Sequence, residues 1–105
     1  MKKTYHKLVR DKIPEIIEAQ GKCCVVRKLS DEAYLEMVDA KSDEELAEYH
    51  KNQNPEEWAN PVQVIYTAAE VREFTVGQLE QIHLWKKAQR GAFRKKLPLM
   101  EIRGF

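Results

Sequence analysis

The chain has few of the residues that build the common zinc and disulfide motifs. It contains two cysteines, which are adjacent at Cys23 and Cys24, and three histidines, which lie far apart. Adjacent cysteines have poor geometry for a disulfide with each other, and neither has a third cysteine to pair with. We therefore interpret both as reduced structural thiols, and the Cys/His spacing of a zinc site is absent.

Glycine and long apolar runs are also scarce. With four glycines, the chain has neither the G-x-x-x-x-G-K-[ST] phosphate loop nor the G-x-G-x-x-G dinucleotide motif. No apolar run approaches membrane-spanning length, and no apolar stretch follows the charged amino terminus. We therefore expect no signal peptide, no lipid anchor, no membrane contact and a cytoplasmic protein.

The remaining composition is that of an ordinary globular chain. Hydrophobic residues make up 43% and charged residues 33% of the 105 residues, which is typical of soluble domains. This length predicts one domain, residues 1–105, and at this size a helical protein gains from completing its core by dimerisation.

The net charge of +1 conceals a segregation of charge. Residues 1–28 hold eight Lys/Arg against three Asp/Glu (+5), residues 29–60 hold two against ten (−8), and residues 61–105 hold eight against four (+4). An acidic centre between basic flanks is what a metal-triphosphate ligand needs, although a solvated helix face explains an acidic run equally well. The pI of 7.8 and the absence of a basic, aromatic-rich stripe argue against nucleic acid.

Helix signals dominate the first half of the chain. Asp11 is placed to cap a short helix that ends at Gly21, and Ser30 is placed to cap a second helix. We interpret the second as one long helix. A break near Lys41 is the alternative, because Ser42 also fits the start of a capping box.

The second half begins with another helix start at Asn54 and Pro55. Pro61 falls inside that helix, where it lacks an N–H and its ring opposes a regular turn. This predicts either a kink or a fresh helix that begins at Asn60.

Thr75 and Gln78 form a capping box for a last helix that ends at Gly91. The apolar tail, residues 97–102, is a candidate short strand that pairs with residues 23–29. The fold class expected from the elements is all-α, with four to five helices and at most a small two-stranded β element.

Five glutamates form two groups in the middle of the chain: Glu44, Glu45, Glu48, Glu56 and Glu57. Residues three apart share a helix face, so Glu45 and Glu48 can direct their carboxylates to one point. Mg²⁺ prefers oxygen ligands, which two facing helices can supply. The second group is incomplete, because Asn60 stands where a spacing of three from Glu57 would place another carboxylate.

Four segments together resemble one family. They are YHKLVRDKIPEII at residues 5–17, EELAEY at 44–49, EEWAN at 56–60 and RGAF at 90–93. The chain resembles the MazG-like nucleotide pyrophosphohydrolases, particularly the phosphoribosyl-ATP pyrophosphohydrolase-like branch, over nearly its whole length. The resemblance implies an all-α MazG-like bundle that assembles as a homodimer or tetramer. It also implies Mg²⁺-dependent hydrolysis of nucleoside triphosphates to monophosphate and pyrophosphate, with Mn²⁺ as an alternative metal.

By position, the metal ligands of the family fall on four residues: Glu45, Glu48, Glu57 and Asn60. Asn60 replaces an aspartate of the family, Gln63 stands where this branch has a glutamate, and Pro61 occupies a leucine position. An Asn carbonyl can ligate Mg²⁺ but brings no charge, so these changes predict weakened metal binding.

The resemblance also implies roles for residues around the metal. Glu44 is the candidate to orient the attacking water, and Lys41 matches a position that contacts phosphate or metal-bound water. Further phosphate-binding candidates are basic residues near both ends: Lys7, Arg10, Lys12, Arg90 and Lys95. The alternatives are a catalytically inactive nucleotide- or phosphate-binding relative and a structural helical dimer. The sequence does not identify the base or the sugar.

Overall fold

The computed structural model describes residues 5–104 and consists of helices and loops. The four helices are α1 (Ile13–Ala19), α2 (Asp31–Lys51), α3 (Pro55–Val71) and α4 (Val76–Arg90). Residues 5–104 contain no strand, so the expected all-α class is confirmed with four helices in this range.

The expected strand pairing between residues 23–29 and 97–102 was wrong. Both segments lack regular structure. Val25 is fully exposed and Leu99 is 77% exposed, so these side chains do not pack on an apolar surface of the fold. A two-stranded ribbon without such a surface is marginal in water, which explains why apolar alternation alone did not produce a strand.

The predicted cap of α1 was also wrong. The N-cap is Lys12, which has helical backbone angles and makes no side-chain cap hydrogen bond. The N–H of Ile13 instead donates to the backbone carbonyl of Arg10 at 3.0 Å, so a turn replaces the cap expected from Asp11. The predicted end is confirmed, since Gly21 follows the helix with φ +81°, a conformation that favours glycine.

Helix α2 is uninterrupted over 21 residues, so the expected single long helix is confirmed and the break near Lys41 does not occur. Ser30 caps the helix, as its hydroxyl accepts a hydrogen bond from the N–H of Ala33 at 3.3 Å. Neither glycine nor proline lies within α2, and Ser42 is tolerated in its interior.

Helix α3 begins where predicted and runs through Pro61 without restarting. Asn54 caps it by accepting a hydrogen bond from the N–H of Glu56 at 3.0 Å. The indole of Trp58 donates to the carbonyl of Asn52 at 3.1 Å and so ties the start of α3 to the end of α2. Because α2 and α3 pack against each other, their shared packing outweighs the backbone hydrogen bond that Pro61 cannot donate.

The capping box that opens α4 is confirmed. The N–H of Gln78 donates to the Thr75 hydroxyl at 3.0 Å, and the Thr75 N–H donates to the Gln78 side chain at 2.8 Å. Gly91 ends the helix with φ +83°. Helix α4 is joined to α3 by the Tyr66 hydroxyl, which donates to the Glu80 carboxylate at 3.0 Å.

Few side chains are buried in the described part of a single chain. Among the described residues, Val38 on α2 is the one fully buried hydrophobic side chain. The radius of gyration is 18.6 Å, against about 13 Å for a compact domain of this length. None of the described helices combines the length and the apolar character needed to cross a membrane.

Candidate functional site

Glu45, near the middle of α2, is the most buried charged side chain of the described residues. It is 6% exposed. Its Oε1 lies 3.4 Å from the Nζ of Lys41, whereas its Oε2 is buried without a hydrogen-bond partner in the described part of the chain. Burying a carboxylate oxygen without a partner is costly. A cation bound at Oε2 would remove this cost.

Two lysines partly neutralise the glutamates of α2. The Nζ of Lys41 lies 3.4 Å from Glu44 Oε2 as well as from Glu45, since residues three and four apart share a helix face. The Nζ of Lys7, in the segment before α1, lies 3.6 Å from Glu44 Oε1. The structure thus places these two predicted phosphate-binding lysines beside the predicted catalytic carboxylate.

Asn60 joins α3 to the segment before α1. Its Oδ1 accepts a hydrogen bond from the guanidinium of Arg10 at 2.7 Å, and its Nδ2 donates to Glu57 Oε2 at 3.2 Å. A single amide therefore satisfies a cation on one side and a carboxylate on the other. An aspartate here would keep the contact to Arg10 but would repel Glu57.

Glu48 completes the predicted set. Its Oε2 accepts a hydrogen bond from Nδ2 of Asn52, one turn later, at 3.3 Å. Sequence reasoning did not identify Asn52, although its spacing of four from Glu48 is a signal for such a contact. The five predicted carboxylate and amide residues, Glu44, Glu45, Glu48, Glu57 and Asn60, are all buried or half-buried, whereas Glu56 is exposed.

The predicted residues are not all brought together. Residues 5–104 contain no group of three or more His, Cys, Asp or Glu side chains arranged to hold a metal ion. Within the same range, the predicted phosphate-binding residues Lys12, Arg90 and Lys95 are exposed. The described contacts contain no ion pair between these three and the glutamates of α2.

The chemistry of the donors nevertheless suits Mg²⁺ or Mn²⁺. The side chains of Glu45, Glu48, Glu57 and Asn60 offer carboxylate and amide oxygens, which are the ligands that hard divalent cations prefer. The unpartnered Oε2 of Glu45 is the observation that fits a cation best. The sequence predicts Glu45, Glu48, Glu57 and Asn60 as its ligands, but the described residues do not bring these three glutamates together as a metal-binding group.

Comparison with known proteins identifies one relative of part of the chain. No protein-family model matches the chain, and no solved structure matches it. Over 41 residues, 39% of the chain, it is 58% identical to an uncharacterized protein of Mycolicibacterium smegmatis. The match spans 42% of the length of that relative, so this similarity carries no activity to the chain.

Proposed function

We propose that the chain is a Mg²⁺-dependent nucleoside triphosphate pyrophosphohydrolase of the MazG-like type, which converts the triphosphate and water to the monophosphate and pyrophosphate. The observation that carries the proposal is Glu45, a buried carboxylate with one oxygen paired to Lys41 and the other without a partner. A purely structural ion pair would gain nothing from the second, unsatisfied oxygen. In a metal site, that oxygen would be a ligand of the cation.

The metal, Mg²⁺ or Mn²⁺, would be held by Glu45, Glu48, Glu57 and Asn60. When bound, it would offset the charge of the phosphates and polarise a phosphoryl oxygen. The four residues come from α2 and α3, which pack against each other and are joined at their connection by the Trp58–Asn52 hydrogen bond.

We propose Glu44 as the residue that acts on the attacking water. Its carboxylate lies between the ammonium groups of Lys7 and Lys41, and its side chain is 37% exposed. It would orient a water molecule and accept its proton as the oxygen attacks the α-phosphorus. The bond between the α-phosphorus and the α,β-bridging oxygen breaks, and pyrophosphate leaves.

Three cations are available for the leaving pyrophosphate. Lys7 and Lys41 border Glu44, and Arg10 reaches the same face through Asn60 at 2.7 Å. Positive groups that are already in place stabilise charge that develops in the transition state. A guanidinium can also bind two phosphate oxygens at once.

The Arg10–Asn60 contact favours a second candidate, a catalytically inactive nucleotide- or phosphate-binding relative. The amide oxygen that would ligate a metal is already an acceptor for a guanidinium, and residues 5–104 hold no group of three acids arranged for a metal. Such a protein would retain its three phosphate-binding cations without metal-dependent cleavage. The third candidate is a structural helical dimer with a solvated acidic face.

Pyrophosphate release from a panel of standard and modified nucleoside triphosphates separates these candidates. We expect release with Mg²⁺ or Mn²⁺ and none with chelator. Glu45→Gln and Glu48→Gln should abolish it, whereas Glu36→Gln, which changes an exposed acid on the same helix, should not. No release from folded protein, with thermal stabilisation by nucleotide in chelator, would support the binder. Neither release nor stabilisation would support the structural dimer.

Restoring the family pattern tests the metal directly. The triple substitution Asn60→Asp, Pro61→Leu and Gln63→Glu should tighten Mg²⁺ binding on the order of tenfold and raise turnover. Most of the gain should come from Asn60→Asp, because Gln63 is exposed and bonds Thr67. In chelator, Asn60→Asp alone should destabilise the fold by repulsion from Glu57, and Mg²⁺ should reverse the loss. A loss that Mg²⁺ leaves unchanged would contradict a metal at this position.

A further inference from the structure

A cavity of 530 Å³ lies between the segment before α1, the loop that leads to α2, and α2 itself. Its floor is formed by four half-buried apolar side chains: Leu8, Pro14, Leu29 and Met37. Its rim carries exposed side chains, which include Tyr5, Val9 and Val26. This volume, and an apolar floor bordered by a few polar groups, are typical of small-molecule sites.

The lining of the cavity is positively charged. It contains Lys7, Arg10 and Arg27 against one acid, Asp11, a formal +2. The guanidinium of Arg10 bonds the neutral amide of Asn60. The ion pairs within residues 5–104 include neither Arg10 nor Arg27, so no acid of this range cancels their charge. Guanidinium groups bind phosphate oxygens in pairs, and the lining therefore suits an organic phosphate.

Lys7 and Arg10 connect this cavity to the candidate metal site. The Nζ of Lys7 lies 3.6 Å from Glu44 Oε1, and Arg10 donates to Asn60 at 2.7 Å. The same ammonium group of Lys7 lies 5.9 Å from the centroid of the Tyr5 ring, on the cavity rim. A ligand whose phosphate binds Lys7 therefore has its organic part within reach of an aromatic ring.

Helix α2 orders the same groups along one face. Met37, Lys41 and Glu45 recur at a spacing of four and so share that face. At 1.5 Å per residue, Lys41 lies about 6 Å and Glu45 about 12 Å beyond Met37 along the helix axis. The face thus leads from the apolar floor of the cavity to a cation and then to the carboxylates. An elongated ligand with an apolar end and an anionic end matches this order.

We propose that the cavity binds the nucleoside of a nucleotide. The base lies against Met37, and the phosphates extend past Lys7 and Arg10 to the acidic residues of α2. A nucleotide has the required order of groups, because its sugar separates an aromatic base from an anionic end. The choice of a nucleotide rests on the proposed function, in its hydrolase or its binder form.

The floor also determines which bases bind best. Its four side chains carry no N–H or O–H group, so they recognise a base by apolar contact rather than by hydrogen bonds. A hydrophobic pocket discriminates weakly between ligands of equal size. Adenosine and guanosine monophosphate should therefore bind within about threefold of each other. Both should bind about fivefold tighter than cytidine or uridine monophosphate, because a second ring buries more apolar surface.

Methyl NMR of the full chain tests the position of the base. The chain has three methionines, of which Met37 lies in the cavity and Met100 is 85% exposed outside it. In chelator, guanosine monophosphate should shift the Met37 methyl signal through the ring current of the base and leave Met100 unchanged. Ribose 5-phosphate, which has no base, should shift Met37 far less. Absence of binding, or a Met37 signal that does not respond at saturation, would overturn the proposal.

Filling the cavity tests which part of the ligand it holds. Val9→Trp adds volume at the rim and retains every cation, so it should weaken guanosine monophosphate binding about tenfold in calorimetry. Binding of inorganic tripolyphosphate should be unchanged. The control Ile65→Trp, at a similarly exposed residue of α3 outside the cavity, should change neither affinity. Equal losses for both ligands, or no loss, would contradict a nucleoside site. Tighter binding of octyl phosphate than of every nucleoside monophosphate would replace it by a site for aliphatic phosphates.

These measurements use neither metal nor turnover, so they separate the nucleoside site from the hydrolase. Pyrophosphate release without a shift of Met37 would refute the nucleoside site and leave the hydrolase standing. A shift of Met37 without release in Mg²⁺ or Mn²⁺ would refute the hydrolase and leave the nucleoside site standing.

Discussion

Replacing Lys41 by methionine tests the observation on which the proposed site rests. The ammonium group of Lys41 lies 3.4 Å from both Glu44 and Glu45 and is 21% exposed at its side chain. Methionine keeps much of the apolar stem and removes the charge. The carboxylate of Glu45 would then be buried with neither of its oxygens paired to a cation within the described residues.

The expected loss can be bounded from burial and distance. Removing one partner of a deeply buried pair costs about 3–5 kcal/mol. Lys41 retains some solvent contact and its two N–O distances are long for charge-assisted hydrogen bonds, so we expect a loss of about 2 kcal/mol in the free energy of unfolding. At fixed protein concentration this corresponds to a fall in Tm of about 8–10 °C for a domain of this size.

Urea and thermal unfolding of four proteins provide the measurement: wild type, Lys41→Met, Glu45→Gln and the double variant. We expect the double variant to be more stable than Lys41→Met, because the neutral amide no longer requires a cation. The control Lys22→Met changes an exposed lysine that has no ion pair in the described part of the chain, and it should cost less than about 0.5 kcal/mol.

Mg²⁺ adds a second readout to the same variants. A divalent cation at the vacated position would stabilise Lys41→Met more than it stabilises the wild type, because only the variant leaves Glu45 without a positive neighbour. If Lys41→Met loses no more stability than Lys22→Met, the Glu45 carboxylate is solvated in solution. The unpartnered Oε2 would then no longer indicate a metal at this position.

Two further predictions concern the helices that carry the site. Pro61→Ala should raise the free energy of unfolding by about 2 kcal/mol, because alanine restores an N–H to the interior of α3. The control Pro55→Ala, at the first turn of α3, should change the free energy of unfolding little. Equal effects of the two substitutions in urea unfolding would contradict this account. The hydrogen bond to Glu80 and its negative charge raise the pKa of Tyr66. Because the folded pKa lies above the unfolded one, this stabilisation is complete below the unfolded pKa, near pH 10, and is lost as pH rises through the folded value. The stability advantage of wild type over Tyr66→Phe should therefore disappear at alkaline pH, and an advantage that persists there would contradict the assignment.

The helix boundaries that were predictable from sequence are those set by local chemistry. Ser30, Asn54 and Thr75 each cap a helix through a contact two or three residues away, so the signal is contained in a short window. Asp11 carried the same signal and failed, because the turn at Arg10 had already satisfied the N–H that it would have capped. Backbone competition of this kind is not visible in residue types.

The contacts of the candidate site were likewise predictable where the residues are close in sequence and not where they are far apart. The spacing along α2 was sufficient to place Lys41 beside Glu44 and Glu45, because one helical turn determines that contact. The bond from Arg10 to Asn60 spans fifty positions and depends on how the first segment folds over α3. Sequence reasoning assigned Arg10 to phosphate and Asn60 to metal, and it did not foresee that the two residues would bond to each other.

That bond explains why asparagine is consistent with the rest of the site. The carboxylates of Glu44, Glu45, Glu48 and Glu57 sum to −4, and the cations Lys7, Arg10 and Lys41 sum to +3, which leaves −1. An aspartate at position 60 would leave −2 and would place two carboxylates side by side, whose repulsion the contact to Arg10 would offset only in part. With asparagine, the formal charge of the site is nearly neutral before any metal binds, so we expect the fold to be stable without Mg²⁺. Metal affinity should then be weak. Activity in the proposed hydrolase should therefore rise with Mg²⁺ concentration until the nucleotide is saturated with Mg²⁺, because the nucleotide then brings the ion to the site on its phosphates.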